Sequence, residues 1–133
     1  MSKIFSLSEA GSIAIHSMVL IAQSDTKLNV VKIAERTGSS RHHVAKVLQR
    51  LVKDDFLTSN RGPHGGFELK RPEEEINLLD IYESIEGRVE IGECPMDNLI
   101  CPFDKCILGT VIKEMTHKFK DYMTAQKLSD YLK

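Results

Sequence analysis

Residues 33–69 read IAERTGSSRHHVAKVLQRLVKDDFLTSNRGPHGGFEL, and this stretch decides the fold. Its apolar residues first recur at helical spacing and later flank a glycine-rich turn. Gly38 separates two helical segments, Ser39 or Ser40 can cap the second, and residues 62–66 separate two short strands. Two helices joined by a short turn form a helix-turn-helix, and a hairpin directly behind it is a wing.

Amphipathic segments flank this stretch on both sides. Residues 6–23 predict a helix with an apolar stripe made of Leu7, Ala10, Ala14, Met18 and Ile21. Residues 76–86 predict another helix, which Gly87 ends. Near the C-terminus, five apolar residues repeat at coiled-coil spacing: Leu108, Ile112, Met115, Phe119 and Tyr122. A seam of this kind favours packing against a partner chain, so the sequence predicts a homodimer.

The expected fold is therefore mainly α with a small β wing. We expect residues 1–71 to form a winged helix-turn-helix DNA-binding domain, whose first helix also packs at the dimer interface. Residues 72–133 should contribute a helix, a loop with all the cysteines, and a long C-terminal dimerisation helix. One modest core is what a chain of 133 residues can bury.

Charge is segregated along the chain, although the net charge is only −1. Residues 27–71 contain ten Lys and Arg against four Asp and Glu, whereas residues 72–106 contain two against ten. The basic block suits a polyanion, although charge alone leaves open a chance clustering on solvated faces. We find neither a signal peptide nor a membrane-spanning run, so we expect no membrane association and a cytoplasmic location.

The basic block supplies candidate contacts to double-stranded DNA. The first turn of a recognition helix meets base edges, later positions reach phosphates, and an arginine in a wing suits a narrow minor groove. By these criteria the candidate DNA-binding residues are Ser40, Arg41, His42, His43, Lys46, Arg50, Arg61, Gly62 and His64. Without the wing, these charged side chains would indicate only an ordinary solvent-exposed helix face.

Residues 94–106, which we call the cysteine segment, contain all three cysteines: Cys94, Cys101 and Cys106. An odd number of thiols counts against a disulfide framework. Their spacing leaves open a zinc site, inert thiols or an iron–sulfur cluster, whose ligand spacing varies most. Because no CxxC pair, nucleotide-binding glycine loop or nucleophile–base pattern occurs, the sequence does not predict an enzyme.

Residues 33–69, above all the RGPHGGF wing at residues 61–67, closely resemble the Rrf2 family of bacterial transcriptional regulators. The resemblance extends from the first helix to the last. It implies a homodimeric regulator, usually a repressor, that binds a palindromic operator and inserts Arg61 into the minor groove. Cluster-bearing members have three cysteines in the corresponding loop. The resemblance therefore makes an iron–sulfur cluster, 2Fe-2S or 4Fe-4S, the leading interpretation of the cysteine segment.

The resemblance also restricts the fourth cluster ligand. IscR-type members have a histidine ligand after their last cysteine, and Gly109 stands at that position here. Ala45 stands where those members have a glutamate in the recognition helix. In NsrR- and RsrR-type members the partner's first helix supplies the remaining ligand. By that resemblance His16 ranks first, Glu9 second and Ser12 third.

Two kinds of signal remain open. The cluster-bearing types imply nitric oxide, redox stress or iron–sulfur status. The alternative is a cluster-free regulator of the CymR type, switched by a partner protein or by thiol oxidation.

Overall fold

The computed structural model describes residues 2–91 and 101–132. It is mainly helical with a two-stranded antiparallel wing, which confirms the predicted fold class. The elements in chain order are α1 Glu9–Gln23, α2 Val30–Thr37, α3 Arg41–Lys53, β1 Leu57–Asn60, β2 Gly66–Leu69, α4 Leu78–Glu86 and α5 Val111–Ala125. Short 3-10 turns span Glu73–Glu75 and Leu128–Tyr131. No helix in these described ranges combines the length and apolar character needed to cross a bilayer.

Local capping fixes the helix-turn-helix, as the sequence predicted. The side chain of Asn29 accepts a hydrogen bond from the backbone N–H of Lys32 at 2.9 Å, and that of Ser40 accepts from His43 at 3.1 Å. Gly38 ends α2 with φ +69°, a conformation that costs little only without a Cβ. These caps determine which residues occupy the first turn of the recognition helix, α3.

Two helices begin later than the sequence predicted. The hydroxyl of Ser8 accepts from the N–H of Gly11 at 3.0 Å, so α1 starts after it rather than at residue 6. Asn77 caps α4 in the same way, through the N–H of Asp80 at 2.8 Å. Leu7 consequently lies before α1 and is exposed, so its assignment to the apolar stripe was wrong.

One hydrophobic core unites these elements. Its largest fully buried apolar side chains are those of Met18, Ile33, Val44, Leu48, Leu51, Leu57, Ile76, Ile81 and Leu128. Complete burial of such a side chain stabilises a fold by roughly 1.5–3 kcal/mol. Because members come from α1, α3, α4 and the C-terminal turn, the recognition helix rests on the same core as the C-terminal region.

A tight turn ends α3 and directs the chain into the wing. The N–H of Phe56 donates to the carbonyl of Leu51 at 3.0 Å, and that of Asp55 donates to Val52 at 3.1 Å. Asp55 has a positive φ of 67°, in the place that glycine usually takes in this motif. Phe56 and Leu51 are both buried, so their packing stabilises the turn.

The wing hairpin pairs β1 with β2 antiparallel, with Leu57 opposite Leu69. Leu57 and Phe67 face the core, as predicted. A third chain segment joins the sheet: the N–H of Leu28 donates to the carbonyl of Phe67 at 3.3 Å, and the N–H of Phe67 donates back at 2.8 Å. This pairing, which no local sequence pattern predicts, ties the wing to the segment before α2.

The predicted coiled-coil seam corresponds only in part to the observed α5. Leu108 lies in the turn before the helix, so its place in the seam was wrong. Phe119 packs within its own chain, with its ring centroid 5.4 Å from that of Tyr82 and 5.2 Å from that of Phe5. Tyr122, by contrast, is 57% exposed. Helical periodicity identifies an apolar face but does not say which chain covers it.

The C-terminal end of α5 is anchored to the segment before α4. The N–H of Leu78 donates to the carbonyl of Gln126 at 2.9 Å, and the N–H of Leu128 donates to Ile76 at 3.0 Å. Met123 and Leu128 are buried beside this backbone pairing. The first residue of the helix, Val111, is 48% exposed.

Replacing Gly66 by alanine should lower the free energy of unfolding by about 3 kcal/mol. Its φ is +146°, and an added Cβ would lie 2.7 Å from the carbonyl oxygen of Leu28, a backbone atom that cannot rotate away. Urea denaturation followed by circular dichroism measures the loss.

Gly62→Ala is the matched control for Gly66→Ala. Gly62 also has a positive φ, +104°, but among the described residues no atom lies within 4 Å of the added Cβ. We expect a cost of only about 1 kcal/mol from backbone strain. Equal losses in the two variants would contradict the close approach of Leu28.

Candidate nucleic-acid interface and cysteine site

The outward face of α3 carries the predicted basic residues. The helix buries Val44, Val47, Leu48 and Leu51. Arg41, His42, Lys46 and Arg50 are exposed on the remaining surface. Because Ser40 caps the helix, Arg41 and His42 stand in its first turn, the part that meets base edges in helix-turn-helix complexes.

His43 occupies the same turn but is already engaged within the chain. Its Nδ1 lies 3.2 Å from a carboxylate oxygen of Glu9, the first residue of α1. The contact is an ion pair when the imidazole is protonated, and it places the ring beside the start of α1. The contact joins a candidate DNA-binding residue to a candidate cluster ligand. Sequence reasoning missed it because the two residues are far apart along the chain.

A second carboxylate meets α3 at its other end. Asp54 Oδ2 accepts a hydrogen bond from Arg50 Nε at 3.2 Å and another from the hydroxyl of Ser84 on α4. The bond from Ser84 is the main reason that the pKa of Asp54 lies below its usual value of 3.8. Desolvation opposes that shift, and the charge of Arg50 adds to it. The i,i+4 spacing of Arg50 and Asp54 is a sequence signal for their contact, whereas no sequence pattern indicated the bond from Ser84.

The wing tip presents Arg61, Gly62, Pro63 and His64, all of them exposed. The N–H of Gly65 donates to the carbonyl of Gly62 at 2.9 Å and closes the turn. Arg61 thus stands at the base of a narrow tip whose neighbouring glycines carry no side chain. A guanidinium on such a tip has the size and charge to enter a narrow minor groove.

Two of the three predicted thiol ligands lie in the described part of the chain. Cys101 and Cys106 are both exposed, on the stretch that leads into α5. Cys94 lies outside the described residues. Residues 2–91 and 101–132 bring together no three His, Cys, Asp or Glu side chains that could hold a metal ion.

His16 is an exposed residue of α1 whose ring contacts the backbone of its own helix. Its Nδ1 lies 2.7 Å from the carbonyl oxygen of Ser12, one turn earlier in α1. A ring N–H that donates to this carbonyl fixes the tautomer and leaves the Nε2 lone pair available. The exposed ring borders a cleft of about 540 Å³, whose lining includes Ile15, Val19 and Arg36.

The candidate ligands on α1 therefore differ in their surroundings. His16 and Ser12 interact with each other and both line the cleft. Glu9 shares their helical stripe, but its carboxylate pairs with His43. That contact uses one carboxylate oxygen of Glu9, Oε1.

Comparison with known proteins agrees with this architecture. The profile of the Rrf2 family, described as "Iron-dependent Transcriptional regulator", matches residues 7–133. Protein rrf2 of Nitratidesulfovibrio vulgaris is 29% identical over 112 residues, covering 80% of this chain and 75% of that protein.

Solved structures show the same fold. CymR, the global cysteine regulator of B. subtilis, superposes with a TM-score of 0.78 at 20% identity, covering 96% of this chain and 95% of that one. IscR of T. potens gives 0.74 at 22% identity, covering 96% and 85%. The family match spans nearly the whole chain and the fold agrees with it. The chain belongs to the Rrf2 family of winged helix-turn-helix transcriptional regulators and is not an enzyme.

Proposed function

We propose that this regulator is a repressor that senses nitric oxide, or redox and iron–sulfur status, through an iron–sulfur cluster. It works as a cytoplasmic homodimer on a palindromic operator in double-stranded DNA. The observation that carries the proposal is the pair of exposed thiols, Cys101 and Cys106, beside α5 in a family described as iron-dependent.

The donor set fits such a cluster, which is usually held by thiolates with other groups completing the ligation. Cys94, Cys101 and Cys106 supply three thiolates, and His16 of a partner subunit supplies the fourth ligand. The available Nε2 of His16 supports this choice. Glu9, which shares the helical stripe of His16, is the second candidate, and Ser12 is the third. When bound, the cluster supplies iron that reacts with nitric oxide and changes oxidation state.

The chain's own side chains hold the DNA. In our assignment Ser40, Arg41, His42 and His43 face base edges in the major groove. Lys46 and Arg50 lie further along α3 and contact phosphates, which fix register without reading sequence. Arg61 enters the minor groove, where Gly62 and His64 form the adjoining backbone and tip.

Signal and DNA binding are divided between two parts of the chain. Residues 1–71 read DNA, while residues 72–133 bind the cluster and dimerise, with α1 also at the dimer interface. Helix-turn-helix dimers require half-sites roughly 34–36 Å apart, so a small movement of the reading heads changes affinity. A coupling of about 1–3 kcal/mol changes DNA binding roughly 5- to 150-fold.

A cluster-free regulator of the CymR type is the second candidate. Exposure of Cys101 and Cys106 favours it, because accessible thiols are open to oxidation. Anaerobic purification separates the two functions. Visible absorption with bound iron and sulfide supports the cluster, whereas colourless protein with full DNA affinity that cannot be reconstituted supports the alternative.

Arg61→Ala should weaken DNA binding about tenfold and leave the visible absorption unchanged, because the wing arginine contacts DNA and not the cluster. Fluorescence anisotropy with an in-vitro-selected duplex measures the affinity. Lys118→Ala removes an exposed cation from α5 and should have little effect. Unchanged affinity in Arg61→Ala, or loss of the absorption, would contradict the assigned role of the wing.

Cys101→Ala should abolish iron and sulfide binding yet leave a folded dimer, since the thiol is exposed and contributes nothing to the core. Anaerobic iron and sulfide analysis gives the cluster content, and light scattering gives the mass. Asp104→Ala, in the same exposed stretch, should retain the cluster. A Cys101→Ala protein with a full complement of iron would remove this residue from the ligand set.

His16→Ala should alter the ligand signature of the reconstituted cluster without unfolding the protein, because the ring is exposed. Nitrogen hyperfine coupling in the reduced state is the measurement, with its loss expected in this variant. Glu9→Gln is the control and should keep the coupling. If Glu9→Gln perturbs the cluster while His16→Ala does not, the fourth ligand is Glu9.

A further inference from the structure

A hydrogen-bonded cluster at the C-terminal end of α3, which we name the Asp54 joint, consists of Arg50, Asp54 and Ser84. One oxygen, Asp54 Oδ2, accepts from both Arg50 Nε and the hydroxyl of Ser84. The side chain of Asp54 is 31% exposed, so it is partly shielded from solvent. The hydrogen bond from Ser84 is the largest cause of the lowered pKa of Asp54, and the bond from Arg50 lowers it further.

On one side, the Asp54 joint restrains a candidate phosphate-binding group. With Nε bonded to Asp54, the terminal guanidinium nitrogens of Arg50 remain as donors for a phosphate. Arg50 is 53% exposed and otherwise has the rotamer freedom of a long surface side chain. Holding it in place before DNA arrives reduces the entropy lost on binding.

On the other side, the joint reaches the last turn of α4. Ser84 lies in that turn, and Ile85 lines a shallow cleft together with Lys46 and Arg50 of α3. In the same turn, the carboxylate of Glu86 accepts a hydrogen bond from the hydroxyl of Ser8, the N-cap of α1. The end of α4 therefore contacts both the recognition helix and the helix beside it.

The last turn of α4 also lies close to the cysteine segment in the sequence. Helix α4 ends at Glu86, and the cysteine segment begins only a few residues later, at Cys94. The last turn of α4 is therefore the helical turn that comes directly before the cysteine segment in the chain. Ser84 is the residue of that turn that is hydrogen-bonded to α3 through Asp54.

We propose that Ser84 is a positioning residue for DNA binding, which orients Arg50 through Asp54 and transmits displacement of α4 to the recognition helix. The first part depends only on the contacts of the Asp54 joint. The second part rests on the proposed function, because it requires that the state of the cysteine segment change DNA affinity.

The positioning role is tested by a double-mutant cycle on the full-length, cluster-free protein with reduced thiols. Ser84→Ala should weaken duplex binding roughly three- to tenfold, and should add less than about twofold in an Arg50→Ala background. Ser84→Thr keeps the hydroxyl and should restore most of the affinity. Ser129→Ala, in the C-terminal turn, is the matched control and should bind normally.

The salt dependence of binding distinguishes positioning from general destabilisation. Arg50→Ala should lower the slope of log affinity against log salt by about one phosphate contact. Ser84→Ala should lower the slope in the same direction, with its melting temperature close to that of the parent. Normal affinity for Ser84→Ala, or equal losses in the presence and absence of Arg50, would overturn the positioning role.

The transmitting role is tested by comparing cluster-loaded with cluster-free protein. Ser84→Ala should shrink the ratio of their DNA affinities at least threefold relative to the parent. An undiminished ratio would overturn transmission through Ser84 and leave the proposed function standing. If the parent protein binds DNA equally well with and without the cluster, the proposed cluster switch fails. The double-mutant cycle on cluster-free protein still decides the positioning role.

Discussion

Two backbone hydrogen bonds between Leu28 and Phe67 set the wing against the helix-turn-helix. Leu28 directly precedes the cap of α2, and Phe67 belongs to β2. The pairing therefore joins the start of the helix-turn-helix to the second strand of the wing. The close approach requires a residue without a side chain at Gly66. A hairpin held only by its own two strands would be marginal in water, and this third segment stabilises it. The relative placement of Arg61 and α3 depends on it.

Much of this fold could be predicted because its signals are local. The caps at Asn29 and Ser40, the left-handed Gly38 and the glycine-rich hairpin each act within a few residues. The pairing of Leu28 with the wing could not be predicted, because backbone pairing between distant segments leaves no local pattern. The packing of α5 was only partly predictable. A repeat at heptad spacing also occurs in a helix that packs on the core of its own chain, as α5 does at Phe119.

The candidate site was predictable residue by residue but not as an arrangement. Sequence identified His43, Arg50 and Glu9 as separate candidates, whereas the fold joins them into contacts between helices. The recognition helix has a carboxylate near each end, Glu9 near its start and Asp54 at its close. Each holds one basic side chain, while the exposed residues between them have greater rotamer freedom. A restrained side chain loses less rotamer entropy on binding a ligand than a mobile one does.

The backbone pairing of α5 lies at its C-terminal end, with Phe119 packed midway along the helix, and this arrangement has a mechanical consequence. The pairing of Leu128 with Ile76 acts as a fulcrum, and a helix of 15 residues extends about 22 Å from it. Its opposite tip, at Val111, adjoins the stretch that holds Cys106. A stiff rod held more firmly at one end than at the other converts a push at its freer tip into rotation. The leverage is set by helix length, so inserting or deleting a turn of α5 would change the rotation that a given push at the tip produces.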